Sequence, residues 1–215
     1  MKKYIALLSL LIVIQTYAQS DNKIGGTTII HYVFDKFYPG KVYMQSGETA
    51  DRMLNYNTLT KEMIFEDGGK YLAIANPEKV DSVVVAGRTF IYVDKKFYEW
   101  IAGTNNKLYA DYQSTIVEEG VPTGYGNSQT AAAHTIKTLV GSGLVYGLKL
   151  PDDYKVSTKI NYYLIKGKAF EKFANARQLT YILPDKKQRI NDWVKNNNTD
   201  FNKPADLIAL VNQLQ

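Results

Sequence analysis

The sequence predicts an α+β protein, a mainly antiparallel β-sheet (meander, sandwich or roll) followed by C-terminal amphipathic helices. Three observations carry this. Seventeen Tyr and eight Phe, with many Val, Ile and Thr, favour strands through most of the length. Turn signals cut the apolar runs into short pieces that do not alternate with long helices, which argues against a parallel doubly wound sheet. Near the C-terminus the apolar period changes from two to between three and four.

The elements follow in order. Lys2 and Lys3 precede an apolar run from Ile5 to Ile14, and Thr16 and Ala18 occupy the −3 and −1 positions of a small-residue cleavage site. That is the layout of a secretory signal peptide, 1–18, and the run is about half the ~20 residues a bilayer span needs. The expectation is an exported chain, 19–215, folded as one domain that is β-rich over 27–173 and helical over 174–215. Its compartment is the periplasm or the exterior, with peripheral attachment to the outer membrane allowed. Losing Lys2 and Lys3 takes the formal charge from +5 to +3, too small an excess for a nucleic-acid footprint. The chain has no cysteine, which excludes a lipidated cysteine and disulfides, so burial must stabilise it.

Strands are expected at 27–34, 41–45, 61–65, 70–75, 107–112, 144–150, 159–165 and 169–173, separated by Pro39-Gly40, Ser46-Gly47, the run from Glu66 to Gly69, and Lys166-Gly167. Between them, residues 76–100 (NPEKVDSVVVAGRTFIYVDKKFYEW) read as a hairpin. Gly87-Arg88 at the centre of a type II′ turn pairs Val85 with Phe90, Val84 with Ile91 and Val83 with Tyr92. Both faces are then apolar, which places the hairpin between layers, with the C-terminal helices as candidates for the second face. Residues 120–143 are rich in Gly, Ser, Thr and Ala and read as a long loop or flap. Asp185 is a candidate N-cap for a helix carrying Ile190, Trp193 and Val194 on one face. Pro204 opens another, with Leu207, Leu210, Val211 and Leu214 at i, i+3, i+4, i+7.

The signal ending in YAQ, the run LNYNTLTKEMIF, the hairpin ANPEKVDSVVVAGRTFIYV and the tail ILPDKKQRINDWVKNN…DLIALVNQ together resemble a group of small exported proteins of Bacteroidota-type bacteria. The resemblance covers most of the chain beyond the leader. It implies export and a single architecture of conserved length, and it assigns no activity and no site residue.

Tests for chemistry return little. His31 and His134 are the only histidines, far apart and outside any HExxH, so no metal and no cofactor are expected. DFNKPAD lacks the central Gly of an EF-hand loop. Neither Ser128 nor Ser142 fits G-x-S-x-G, and GYGNSQ lacks the third Gly of a dinucleotide fingerprint. Ser142, His134 and Asp152 form the weak candidate for a nucleophilic set. Glu118-Glu119 and Asp152-Asp153 are adjacent pairs whose members point to opposite faces of a strand. Among the aromatics, Tyr98, Trp100 and Tyr162 are the candidate binding residues, since exposed rings grip sugars or peptides at small entropic cost. Lys186, Lys187, Arg189 and Lys195 read as a solvated face. The expected function is therefore a non-enzymatic exported protein that binds a partner protein or a cell-envelope component such as a polysaccharide, with no nucleic acid and no transmembrane span after cleavage. The alternatives are a glycan or peptide hydrolase with its site under the 120–143 flap, and a carrier of an apolar ligand.

Overall fold

The computed structural model describes residues 31–118, 140–148, 150, 154–166 and 169–215, with two-residue strand pairs at 23–24 and 27–28 and at 122–123 and 126–127. The expected leader, most of the 120–143 flap and residues 151–153 lie outside the described residues.

Ten antiparallel strands form one sheet: β1 (Tyr38–Met44), β2 (Thr49–Asn57), β3 (Glu62–Asp67), β4 (Lys70–Ala73), β5 (Val80–Val85), β6 (Arg88–Val93), β7 (Lys96–Ala102), β8 (Leu108–Glu118), β9 (Tyr154–Lys166) and β10 (Ala169–Phe173). Their order across the sheet is β10-β9-β8-β7-β6-β5-β1-β2-β3-β4. Three helices follow, α1 (Ala176–Ile182), α2 (Lys187–Asn197) and α3 (Pro204–Gln213). The chain is thus α+β, strands first and helices last.

Registers define two faces. Val42 opposes Val83, Val83 opposes Phe90, Phe90 opposes Glu99, Glu99 opposes Ala110, and Ala110 opposes Tyr162. This inner face is covered in two ways. Around β1, β2, β3, β5 and β6 the sheet curls over itself until Ser114 N–H, in the middle of β8, donates to the Thr58 carbonyl at 3.0 Å. The interior of this roll is filled with Phe34, Leu54, Tyr56, Met63, Val83, Val85, Phe90 and Phe97. Over β8, β9 and β10 the cover is helical. Leu179, Ile190, Leu207, Leu210, Val211 and Leu214 pack on Leu108, Ala110, Tyr162, Leu164 and Phe173. The helices therefore cover the far end of the sheet, not the second face of the 76–100 hairpin.

Several expected elements change. The 86–87 turn has φ of 49° at Ala86 and 74° at Gly87, a type I′ geometry whose twist suits a hairpin. Val85 then pairs with Arg88 and Val83 with Phe90, two residues from the expected register, so the residues sharing each face are the same. β1 begins three residues early and includes Pro39-Gly40. Pairing with β5 starts only at Gly40, which leaves Pro39 at the free margin where a missing N–H is tolerated. Gly40 is required by close approach: a Cβ there would lie 2.7 Å from the Val84 carbonyl and 2.8 Å from Leu54 Cδ1. β2 was not expected, because Asn55 and Asn57 interrupt its apolar pattern. Both are fully buried, and Asn55 serves as a backbone surrogate, accepting from Phe34 N–H at 3.1 Å and donating to the carbonyls of Phe34 and Lys36 at 2.9 and 3.0 Å.

The expected strand over 144–150 is instead a short 3-10 turn, Leu144–Tyr146, held by side chains from the other end of the chain. Of the run 27–34, residues 31–34 contribute bends and one bridge, Tyr32 to Asn57. In the helical region, α1 was not expected as a separate helix. Asn175 caps it, accepting from Gln178 N–H at 2.9 Å. Asp185 caps nothing; it lies inside a 3-10 turn, Pro184–Lys186, that leads into α2. The basic face is not merely solvated, since Lys186 Nζ donates to the Leu214 carbonyl and Arg189 Nη2 to that of Gln213, satisfying the open end of α3.

Candidate functional site

Of the residues singled out by sequence, Ser142, Tyr98, Trp100 and Tyr162 lie among the described residues. Ser142 is exposed and precedes Gly143, whose φ of 74° closes the turn into Leu144–Tyr146. His134 and Asp152, its proposed partners, lie outside the described residues. Tyr98 and Tyr162 are each 3% exposed and sit on opposite faces, which corrects the expectation that both rings are available. Tyr98 packs on the rings of Tyr163 and Phe170 on the outer face. Tyr162 lies beneath the helices, its hydroxyl has no hydrogen-bond partner, and burial, then the nearby charges of Glu99 and Asp200, pushes its pKa up to about 12. Trp100 is 39% exposed. Its indole Nε1 donates to the carbonyls of Ala102 and Gly103, both at 2.9 Å, and Lys107 Nζ stands 5.1 Å from the ring centroid.

Two buried charged networks escape the sequence reading, which weighs a third buried polar group only as a metal ligand. On the inner face, Arg88 donates to both carboxylate oxygens of Glu99, Nε at 2.6 Å and Nη2 at 2.5 Å. Arg88 Nη2 also donates to the Tyr112 hydroxyl at 2.8 Å, and that hydroxyl donates to Glu99 Oε2 at 2.6 Å. The guanidinium lies 4.8 Å from the centroid of the Phe34 ring, and burial, with Glu99 next in size, holds the Tyr112 hydroxyl protonated far above its ordinary range. On the outer face, Lys96 Nζ and Gln113 Nε2 donate to Asp111 Oδ2 at 2.6 and 2.7 Å. Burial is the largest single influence and opposes the Lys96 charge, but the hydrogen bonds to Asp111 and Tyr98 and the Asp111 charge together outweigh it and raise the lysine pKa. In both, a buried acid faces a base, an arrangement suited to fixing register, and in the second Asp111 Oδ1 is left buried without a partner.

The third group is His31, 1% exposed. Its Nε2 lies 3.0 Å from the Gly147 carbonyl and 3.2 Å from that of Val145. With two acceptors on Nε2, the proton sits there, and Nδ1 is a buried lone pair without a partner. Desolvation dominates and lowers the pKa to about 4, so the ring is neutral at physiological pH. Asn57 Nδ2 donates to the Val145 carbonyl at 2.9 Å and the Tyr32 hydroxyl to that of Tyr146 at 3.0 Å. Together these side chains clamp residues 145–147 against the roll. Part of the signal was present in KFYEW and TIIHYVF, where Glu99 and His31 interrupt aromatic runs.

Among the described residues, a concavity of about 390 Å³ lies between β10 and α1, bordered by Glu171, Lys172, Arg177 and Tyr181, and two others lie on the sheet. The larger, about 710 Å³, lies on the outer face of β1, β2 and β5 and is bordered by Lys41, Tyr43, Asp51, Met53, Glu66 and Val84. Strand alternation puts these side chains there, opposite the packed roll interior. Tyr43 and Met53 retain 37% and 39% exposure, and Lys41 pairs with Asp51 at 3.1 Å at the groove's edge. Val84 opposes Thr89, which opposes Trp100, so the same face continues to the exposed indole. The smaller concavity, about 220 Å³, opens at one end of the roll. Among the described residues no group of three or more His, Cys, Asp or Glu converges as metal ligands, and no helix is long and apolar enough to cross a membrane. No family model, curated protein or solved structure matches the chain.

Proposed function

We propose that this chain is an exported, non-enzymatic protein that binds a partner protein or envelope component on the outer face of its sheet. The observation that supports the reading is the groove over β1, β2 and β5, where Tyr43 and Met53 stay exposed over half-buried Val84. Apolar side chains at the centre of a rigid sheet, edged by Lys41, Asp51, Arg52 and Glu66, have the composition of an interface: an apolar middle and a charged rim. The backbone beneath is held by ladders on both sides of β1, so binding there orders little and the entropic cost is small.

The test is capture from native envelope extract by the whole chain and by a Tyr43→Ser/Met53→Ser variant, with thermal unfolding run in parallel to show that the variant folds. The expected result is a defined component retained by the wild type and lost with the variant at unchanged melting temperature. Recovery of nothing specific, or equal recovery by both proteins, overturns the reading.

A further inference from the structure

The connection between β7 and β8, Gly103-Thr104-Asn105-Asn106-Lys107, folds into a cup of backbone donors. Gly103 makes that fold possible. Its φ is 78°, and a Cβ there would lie 2.1 Å from the Asn106 carbonyl oxygen. Beyond it, the successive N–H groups of Thr104, Asn105 and Asn106 all donate to one atom, Gln215 Oε1, at 2.9, 2.9 and 3.3 Å. The Thr104 hydroxyl donates to the same oxygen at 3.3 Å. Successive backbone N–H groups turned to one point form a concavity that suits an anion.

The occupant is a poor match for these donors. An amide oxygen is neutral and carries two lone pairs, while four donors address it. An oxyanion brings a negative charge and more than one oxygen, and charge-assisted hydrogen bonds are roughly twice as strong as neutral ones. The surroundings favour an anion too. The Leu214 carbonyl accepts from Asn106 Nδ2 at 2.9 Å and also from Lys186 Nζ. Two donors on one oxygen place that ammonium within about 6 Å of the Asn106 side-chain amide. Arg189 Nη2 reaches the neighbouring Gln213 carbonyl, and neither Lys186 nor Arg189 enters an ion pair among the described residues. The carbonyls of Ala102 and Gly103 are engaged by the Trp100 indole. Thr104, Asn105 and Gln215 are exposed, so an ion reaches the N–H groups once the Gln215 side chain swings out.

We propose that residues 104–106 form a binding site for small oxyanions, of the carboxylate or phosphate type, and that Gln215 is the stopper that fills it in the free protein. Ligand and side chain compete for the same N–H groups. The site shares no residue with the lining of the outer-face groove, so it stands or falls independently of partner docking.

The experiment follows amide resonances of the whole chain, wild type and Gln215→Ala, during titration with sodium phosphate and with sodium acetate, at pH 7 and an ionic strength held constant with NaCl. Saturable shifts at Thr104, Asn105 and Asn106 are expected in Gln215→Ala, with binding at least about fivefold weaker in the wild type. Saturation by either anion supports the site, and the tighter of the two names the headgroup. Adding Lys186→Met to Gln215→Ala should weaken binding severalfold. Gln215→Glu supplies a built-in carboxylate; it should melt above the wild type, and its amides at 104–106 should respond to neither anion. No saturable shift in Gln215→Ala, equal affinity in wild type and Gln215→Ala, binding unchanged by Lys186→Met, or melting of Gln215→Glu at or below the wild type would each overturn the proposal.

Discussion

Acid should destabilise this protein through His31 in particular. Its pKa is lowered from 6.5 to about 4 by burial, so between those values the unfolded chain takes up a proton that the folded protein refuses. Stability is therefore full above pH 6.5 and declines as pH falls toward 4, at about 1.4 kcal/mol per pH unit at most. Integrated from pH 7 to 4.5, the loss from this one ring is roughly 2 kcal/mol. Carboxylates add their own acid sensitivity, so the measurement must be a difference. Urea midpoints at pH 7 and 4.5 are compared for the wild type and for His31→Gln, whose amide can still donate to the carbonyls of Val145 and Gly147 but cannot titrate. The variant should be less stable at pH 7, yet lose roughly 2 kcal/mol less on acidification. Equal losses for both proteins, or a titration of His31 near 6.5 by NMR, would refute the reasoning.

Three further outcomes follow from the packing. Glu99→Leu leaves the Arg88 guanidinium without its acid inside the roll and should cost roughly 3 kcal/mol in urea unfolding. Adding Arg88→Met should recover most of that loss, and a single-variant cost under about 1 kcal/mol would contradict the network's role. Gly40→Ala should destabilise by about 1–3 kcal/mol, because its methyl meets the Val84 carbonyl and Leu54 at under 3 Å. The same change at Gly47 meets no atom and carries only the strain of its φ of 90°. Gln215→Ala removes the Oε1 that accepts from Thr104 and Asn105 N–H, each at 2.9 Å. It should cost about 1 kcal/mol and speed hydrogen exchange at those two amides, while amides in β5 stay unchanged.

The architecture was legible where local chemistry and tertiary position agree. Glu66-Asp67-Gly68-Gly69 announces a turn in any context, and the i, i+3, i+4, i+7 spacing of Leu207, Leu210, Val211 and Leu214 puts all four at 0% exposure. Legibility failed where polar side chains do backbone work. No strand was expected over 49–57, yet Asn55 and Asn57 lie buried at the end of β2, bonded to chain that packs beside it. The hairpin register slipped because Ala86 adopts a left-handed conformation that its residue type disfavours.

The candidate rings differ in exposure for a different reason. Tyr98 and Trp100 share a face of β7, and alternation alone treats them alike. Tyr98 is covered because β8, β9 and β10 bring Tyr163 and Phe170 over it, while Trp100 sits nearer the strand end. That difference depends on strand order, which local periodicity does not encode. The groove residues Tyr43 and Met53 were missed for the same reason: neither belongs to an aromatic cluster, and only the pairing of β1 with β2 and β5 sets them side by side with Val84.

Hydroxyl-radical footprinting tests the central claim, that the outer face docks a partner, most directly. The whole chain is labelled alone and in the presence of the component captured from envelope extract. Met53, Tyr43 and Trp100 should be modified readily in the free protein and protected together when the component is bound, with buried Tyr56 and Phe90 unchanged in both states. Unaltered modification of Tyr43 and Met53 in the complex, or protection confined to other surfaces, would contradict the account.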